Sequence, residues 1–320
     1  MRFNPKARAD TSQVQVRRGG GGRGGGGFGF PAGAGGGGGG GMKVGGGIGG
    51  IIVMIVIFVL FQVMGGGGGG GTALPSGPVS DDRPVSTDSE ALAGCRTGQD
   101  ANENPDCARV FVVNSIQSYW DQALPEQANK QYQYGDTVIF SDQVSTGCGG
   151  ATSDVGPFYC PPDQQVYLDT TFFRDMLEGR LGGRGGDFAE AYVLAHEYGH
   201  HVQNLLGTMG RVRTQQGPTS DAVRLELQAD CYAGMWSRHA TEAEDEYGEV
   251  FIQNLTREDI EEALDAARAV GDDRIQQRTQ GRVDPDNWTH GSAEQRMRWF
   301  MTGREKGSLQ ACDTFAADRL

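Results

Sequence analysis

Hydrophobic positions in this chain follow two regimes. Between Ile48 and Met64 they run almost without a break, with every residue from Ile51 to Phe61 apolar and glycine tracts on both sides. From about Gly94 onward they recur at helical or strand spacing instead. Cys107 to Leu124 reads as a helix with Val110, Phe111, Val113, Asn114 and Ile116 near its inner face and Trp120 on a later turn. Thr137–Phe140 and Gln165–Leu168 read as short strands, and Thr170–Leu177 as a further helix. Asp187 is the expected N-cap of the next helix, with Glu190 three residues later. Phe188, Ala191, Val193, Leu194, Ala195, Val202, Leu205 and Leu206 give that helix an apolar surface so broad that it must be buried on most sides, and Gly207 stops it. A second long helix runs from Thr219 or Ser220 towards His239, with Val223, Leu227, Cys231 and Met235 on one stripe. Thr256 with Asp259 opens a helix to Val270, and Ser292 with Gln295 forms a capping box for a last one carrying Met297, Phe300 and Met301.

These elements predict an α+β, mostly helical domain with a small sheet over residues 94–320, long enough for one sizeable core. Residues 1–47 are basic and Gly-rich, too poor in core-forming side chains to offset chain entropy, and are expected to be a disordered tail. Residues 48–64 would extend roughly 26 Å as a helix, close to the ~30 Å of a bilayer core, with Lys43 able to snorkel. They are read as a transmembrane helix. A cleaved signal peptide fits less well, because the basic region is long and Gly65–Gly71 offers no A-x-A site. Residues 65–93, rich in Gly, Ser, Pro and Asp, read as a flexible linker.

Charge sets the expected topology. The tail has seven Lys and Arg against Asp10 alone, whereas the whole chain is −13. Positive-inside bias therefore predicts a single-pass membrane protein, N-terminus cytoplasmic and acidic domain outside. Such a domain repels phosphate, so no nucleic-acid partner is expected. The six cysteines agree with export. Cys95–Cys107 and Cys148–Cys160 share one spacing and suggest two local bridges, while Cys231 and Cys312 form a third or stay reduced and buried.

The chemistry concentrates in His196-Glu197-Tyr198-Gly199-His200, an H-E-x-x-H run, and in Glu226 to Asp230, an E-x-x-x-D run. Helical residues four apart share a face, so His196 and His200 can present two imidazole nitrogens to one Zn2+. Glu197 lies roughly 100° round the helix, where it can act as general base on a metal-activated water and later protonate the leaving amine. A catalytic zinc usually takes three protein ligands, and Glu226 is the third on offer. Asp230, one turn further, can accept the N–H of a ligating histidine. His201 points about 100° away from His200 and reads as a surface or supporting residue, and His239 as a surface one. Gly199 and Gly234 suggest close helix approach beside the metal. His290, just before the last helix, is the candidate oxyanion donor, with Arg296 as its orienter or a second donor. The competing reading of His290 is a histidine that satisfies loop backbone groups.

Leu194 to Gln203, Glu226 to Asp230 and His290 to Arg296, together with the basic start, glycine tract and single apolar run, resemble the bacterial neutral zinc metallopeptidase family over essentially the whole chain. The resemblance implies a membrane-anchored zincin with His196, His200 and Glu226 as ligands, Glu197 as base and His196 as the histidine that Asp230 orients. The H-G-S-x-x-x-R stretch is similar, more loosely, to a T-H-P-x-x-x-x-R stretch of membrane zinc peptidases, with Gly291 in place of proline. In zincins an edge strand upstream of the metal helix pairs with extended substrate, a role that would fall to Gln165–Leu168. The expected function is zinc-dependent hydrolysis of peptide bonds in peptide or protein substrates. The alternatives are a membrane-tethered binding or assembly protein whose zinc is structural, and a zinc hydrolase of a non-peptide amide.

Overall fold

The computed structural model describes residues 1–18, 91–141 and 143–320. The run expected to be a transmembrane helix, residues 48–64, lies outside the described residues, as do residues 19–47 of the tail and 65–90 of the linker. Among the described residues no helix is long and apolar enough to cross a membrane.

The domain is α+β, as its apolar periodicities require. In chain order the strands are β1 (Arg2–Phe3), β2 (Val14–Arg18), β3 (Thr137–Ser141), β4 (Gln143–Thr146), β5 (Gly149–Thr152), β6 (Phe158–Cys160), β7 (Gln165–Asp169) and β8 (Ile252–Asn254). The helices are α1 (Gly98–Glu103), α2 (Pro105–Ala128), α3 (Asp187–Leu206), α4 (Asp221–His239), α5 (Arg257–Ala269), α6 (Asp272–Gln280) and α7 (Ala293–Lys306). The main sheet has the order β2-β3-β7-β6, with β2, β3 and β7 parallel and β6 antiparallel. The strand expected at the edge, Gln165–Leu168, is therefore internal, and β6 holds the edge instead. The helix expected at Thr170–Leu177 is a wider turn: Phe173–Glu178 closes π-type bonds such as Gly179 N–H to Arg174 C=O, 3.0 Å.

Residues 1–18 correct the largest sequence expectation. They are part of the fold rather than a disordered tail. β1 pairs antiparallel with β8, and β2 pairs parallel with β3, Val14 opposite Thr137 through Arg18 opposite Ser141. Phe3 is buried edge-to-face against Phe111 at 5.5 Å between ring centres. Asn114 of α2 closes a reciprocal pair with the Asp10 backbone at 2.8 and 3.0 Å. Averaging composition over 47 residues hid this, because the glycines that dominate it begin only at Gly19. The alternation Val14-Gln15-Val16-Arg17 is a five-residue strand whose inward side chains, Val14 and Val16, are buried.

Helix ends follow local chemistry. Ser220 caps α4 by accepting from Val223 N–H at 3.2 Å, and reciprocal capping boxes open α5 and α7. α3 is the exception. Asp187 is its first residue rather than its cap, Gly186 takes the cap position at φ 112°, and the Phe188 N–H is satisfied by Glu262 of α5 at 3.0 Å. The three disulfides are Cys95–Cys107, Cys148–Cys160 and Cys231–Cys312.

Two glycine contacts set the spacing of the helices. A Cβ on Gly303 would lie 1.8 Å from the Cys231 carbonyl oxygen, and one on Gly234 would lie 2.0 Å from that of Phe300. α4 and α7 thus pack backbone to backbone at these points. At Gly199 a Cβ would stand 3.0 Å from Ala229, so α3 and α4 also approach closely beside the histidines. Gly303→Ala is expected to force the α4–α7 pair apart and cost about 2–3 kcal/mol, read by denaturant unfolding of the purified chain. An unchanged midpoint would show that the contact is slack.

Candidate metal centre

α3 and α4 bring the site together because each is buried along the face that carries the polar groups. His196 and His200 sit one turn apart on α3, and Glu226 faces them from α4. Glu226 lies 3.2 Å from His196 Nε2 through one carboxylate oxygen and 3.5 Å from His200 Nε2 through the other. Ligand atoms from the three residues all fall within 4.8 Å of one another. Two imidazole nitrogens and one carboxylate on a shared focus is a donor set suited to zinc, and the three sequence-predicted ligands are the three that converge.

Each histidine is held by its far nitrogen. His196 Nδ1–H donates to Asp230 at 2.8 Å. Asp230 also accepts from Tyr192 OH at 2.6 Å and from the Arg296 guanidinium at 2.9 Å through each oxygen. Burial alone would raise the Asp230 pKa, but Arg296 and His196 overcome it and hold the carboxyl at about 2. His200 Nδ1–H donates to Gln203 at 2.9 Å, and Gln203 is fixed by donating to the Leu225 carbonyl at 2.7 Å and to Gln228 at 3.1 Å. Both Nε2 atoms are thereby aimed at the focus. Gln203 was not singled out in the sequence. Its only signal there was its spacing, one residue short of a turn after His200.

Burial lowers the His196 pKa, yet Asp230 and Glu226 raise it to about 10. A cation bound between the histidines and Glu226 would compete with that proton. Glu226 would be raised by burial but is held well below the usual carboxylate range by His200, His290 and His196. Glu197, buried beside the ligands, is shifted the other way. Burial raises its pKa and Glu226 adds to that, with only partial relief from His196 and His200. A carboxyl of raised basicity next to the metal focus suits a general base.

His290 lines the same cleft as Glu197 and Glu226. Its loop is built around Asp272, whose Oδ2 accepts the consecutive N–H groups of Thr289, His290 and Gly291 at 2.8, 2.7 and 3.0 Å. Asp272 Oδ1 also lies 3.4 Å from His290 Nδ1, and Thr289 Oγ1 lies 2.9 Å from the same nitrogen. His290 is thus turned towards the site by a residue the sequence did not flag. Arg296 serves otherwise than expected. Its fork engages Asp230 and Tyr192 OH, which places it behind the candidate ligand His196 rather than behind His290. His201 is buried, not superficial: Tyr159 OH donates to its Nδ1 at 3.0 Å, and its Nε2–H donates to the Gln133 carbonyl at 2.6 Å. Burial lowers its pKa, and it ties α3 to the sheet as a neutral residue.

The fold and the centre define an α+β protein with an H-E-x-x-H metal helix and a glutamate from the following helix. The chain belongs to the family described as "putative neutral zinc metallopeptidase", whose profile matches residues 1–315. It is 51% identical over 228 residues to an uncharacterized protein of Mycobacterium tuberculosis, covering 71% of this chain and 76% of that one. It is 42% identical over 242 residues to YpfJ, an uncharacterized protein of Escherichia coli, covering 70% and 80% respectively. No solved structure matches the chain.

Asp230→Asn would leave the buried Arg296 without its counter-charge. The expected cost is about 3–5 kcal/mol of stability, with a roughly 10–100-fold loss of zinc affinity from the freed His196 ring. Denaturant unfolding and chelator competition measure the two effects separately. Full zinc affinity in a folded variant would show that His196 needs no orienting carboxylate.

Proposed function

We propose that this protein is a zinc peptidase acting on peptides or proteins at the outer side of a bacterial membrane. The observation that carries the reading is the convergence of His196, His200 and Glu226 with Glu197 beside them in an open cleft. Zinc bound there would polarise the scissile carbonyl and acidify a water. Glu197 accepts the water's proton and delivers it to the leaving amine. His290, held by Asp272, donates a hydrogen bond to the oxygen that gains charge. Asp230 and Gln203 keep both histidines in the tautomer that exposes Nε2.

The cleft supports a substrate class. Phe172, Met176, Leu181, Val193, Val270 and Ile275 line the cleft together with the charged groups, as do Gly156 to Tyr159. β6 ends the sheet there, so an extended peptide can add to its edge while a bulky apolar side chain enters the recess. Three disulfides favour an oxidising compartment, and the apolar run 48–64 favours attachment to a membrane.

Glu197→Gln is expected to retain zinc, by metal analysis, yet cleave an unfolded protein at least ~10²-fold more slowly. Undiminished cleavage would remove Glu197 from the mechanism, and no cleavage by the zinc-loaded wild type across diverse peptides would remove the peptidase reading itself. His290→Ala should likewise keep zinc while kcat falls by about 10²–10³-fold with little change in KM. A change confined to KM would make His290 a binding residue only.

A further inference from the structure

The docking of residues 1–18 constrains how the chain can meet a membrane. β2 is hydrogen-bonded to β3 along its whole length, and β1 to β8. The arm is not a surface appendage. Phe3, Ala7, Val14 and Val16 are buried in the same core as α2 and α3, and Asn114 and Gln117 of α2 bond to Asp10 and Gln13. Gln117 in turn accepts from Tyr132 OH and the Gly135 N–H just before β3, so the arm helps to set the entry into the sheet. The apolar run 48–64 lies between the arm and the rest of the domain in sequence. A single crossing by that run would put residues 1–18 on one side of the bilayer and residues 91–320 on the other, and all of these contacts would be lost.

We infer that residues 1–18 and 91–320 occupy the same side of any membrane the chain meets, so the apolar run does not act as a single-pass span. Two crossings would restore the contacts but need about 40 apolar residues, and the chain offers only the stretch from Ile48 to Met64. Removal of everything up to the end of the run, as for a signal peptide, would likewise cost the core β1 and β2. The charge bias that predicts a cytoplasmic N-terminus is outweighed. Five of its seven basic residues, Arg2, Lys6, Arg8, Arg17 and Arg18, belong to the folded arm, and Arg8 stacks on the Tyr247 ring at 4.5 Å.

Sidedness is independent of catalysis and is measured directly. All six native cysteines are paired, so one added thiol is a unique label site. Lys6 in the arm and Lys130 after α2 are both exposed. Full-length Lys6→Cys and Lys130→Cys would be probed separately with a membrane-impermeant maleimide on spheroplasts, before and after lysis. Labelling of both before lysis is the expected result. Labelling of both only after lysis would also support a shared side, while refuting the export assigned under the proposed function. Labelling of one before lysis and the other only afterwards would overturn the inference and restore the single-pass topology. Hydrogen exchange on the unmodified, membrane-extracted chain provides a check that needs no variant. β2 amides should exchange as slowly as those of β3 and β7, and free exchange in β2 beside protected β7 would equally overturn it.

Discussion

The buried pair of Arg296 and Asp230 is the constraint on which the site depends. Asp230 has no exposure and Arg296 almost none, so neither charge could stay buried without the other. Their bidentate bond ties α7 to α4 and fixes where the carboxylate can point. That position lets Asp230 take the His196 N–H and the Tyr192 hydroxyl at once, which ties α3 into the same knot. The three helices therefore cannot shift independently without leaving a charge or a polar hydrogen unpaired in a dry interior. Gly234, Gly303 and Gly199 make the knot possible by letting the backbones come near enough for short side chains to meet.

The convergence of the three candidate metal ligands was legible in the sequence because helical periodicity is a strong geometric statement. Residues four apart on one helix must share a face, and the E-x-x-x-D run placed Glu226 and Asp230 on a common face in the same way. Capping boxes at Thr256 and Ser292 were equally readable, since both partners lie within one turn. What local spacing cannot encode is contact between distant segments. Arg296 was assigned to its sequence neighbour His290, but its partner is 66 residues away. Asp272 carried no sequence signal, because its role arises only where the fold lays the 289–291 loop across it. Gly186, not Asp187, takes the cap position of α3 because a carboxylate from α5 supplies the missing acceptor.

The amino-terminal arm was lost for a different reason. A short strand has little intrinsic preference, and its stability comes from the neighbours it pairs with and buries against. Val14 and Val16 make a period-two signal too brief to stand out beside a long glycine tract. Positive charge on the arm was then read as a cytoplasmic marker, although in the fold much of it lies on a strand edge and its approach.

That edge has a consequence for substrate access. A four-stranded open sheet has two edges, each a template for another extended chain. Without the arm, β3 would be an edge of fully buried residues, Val138, Ile139 and Phe140, exposed to any passing strand. β2 covers β3 and itself carries the charge of Arg17, which discourages further pairing on that side. The opposite edge, β6, runs into the cleft that holds His196, Glu197 and His200. Closing one edge with the chain's own arm leaves the other, beside these groups, as the edge open to an extended chain. An arm held across a membrane could not do this, so the proposed sidedness of residues 1–18 and the proposed binding of substrate at β6 make the same physical demand.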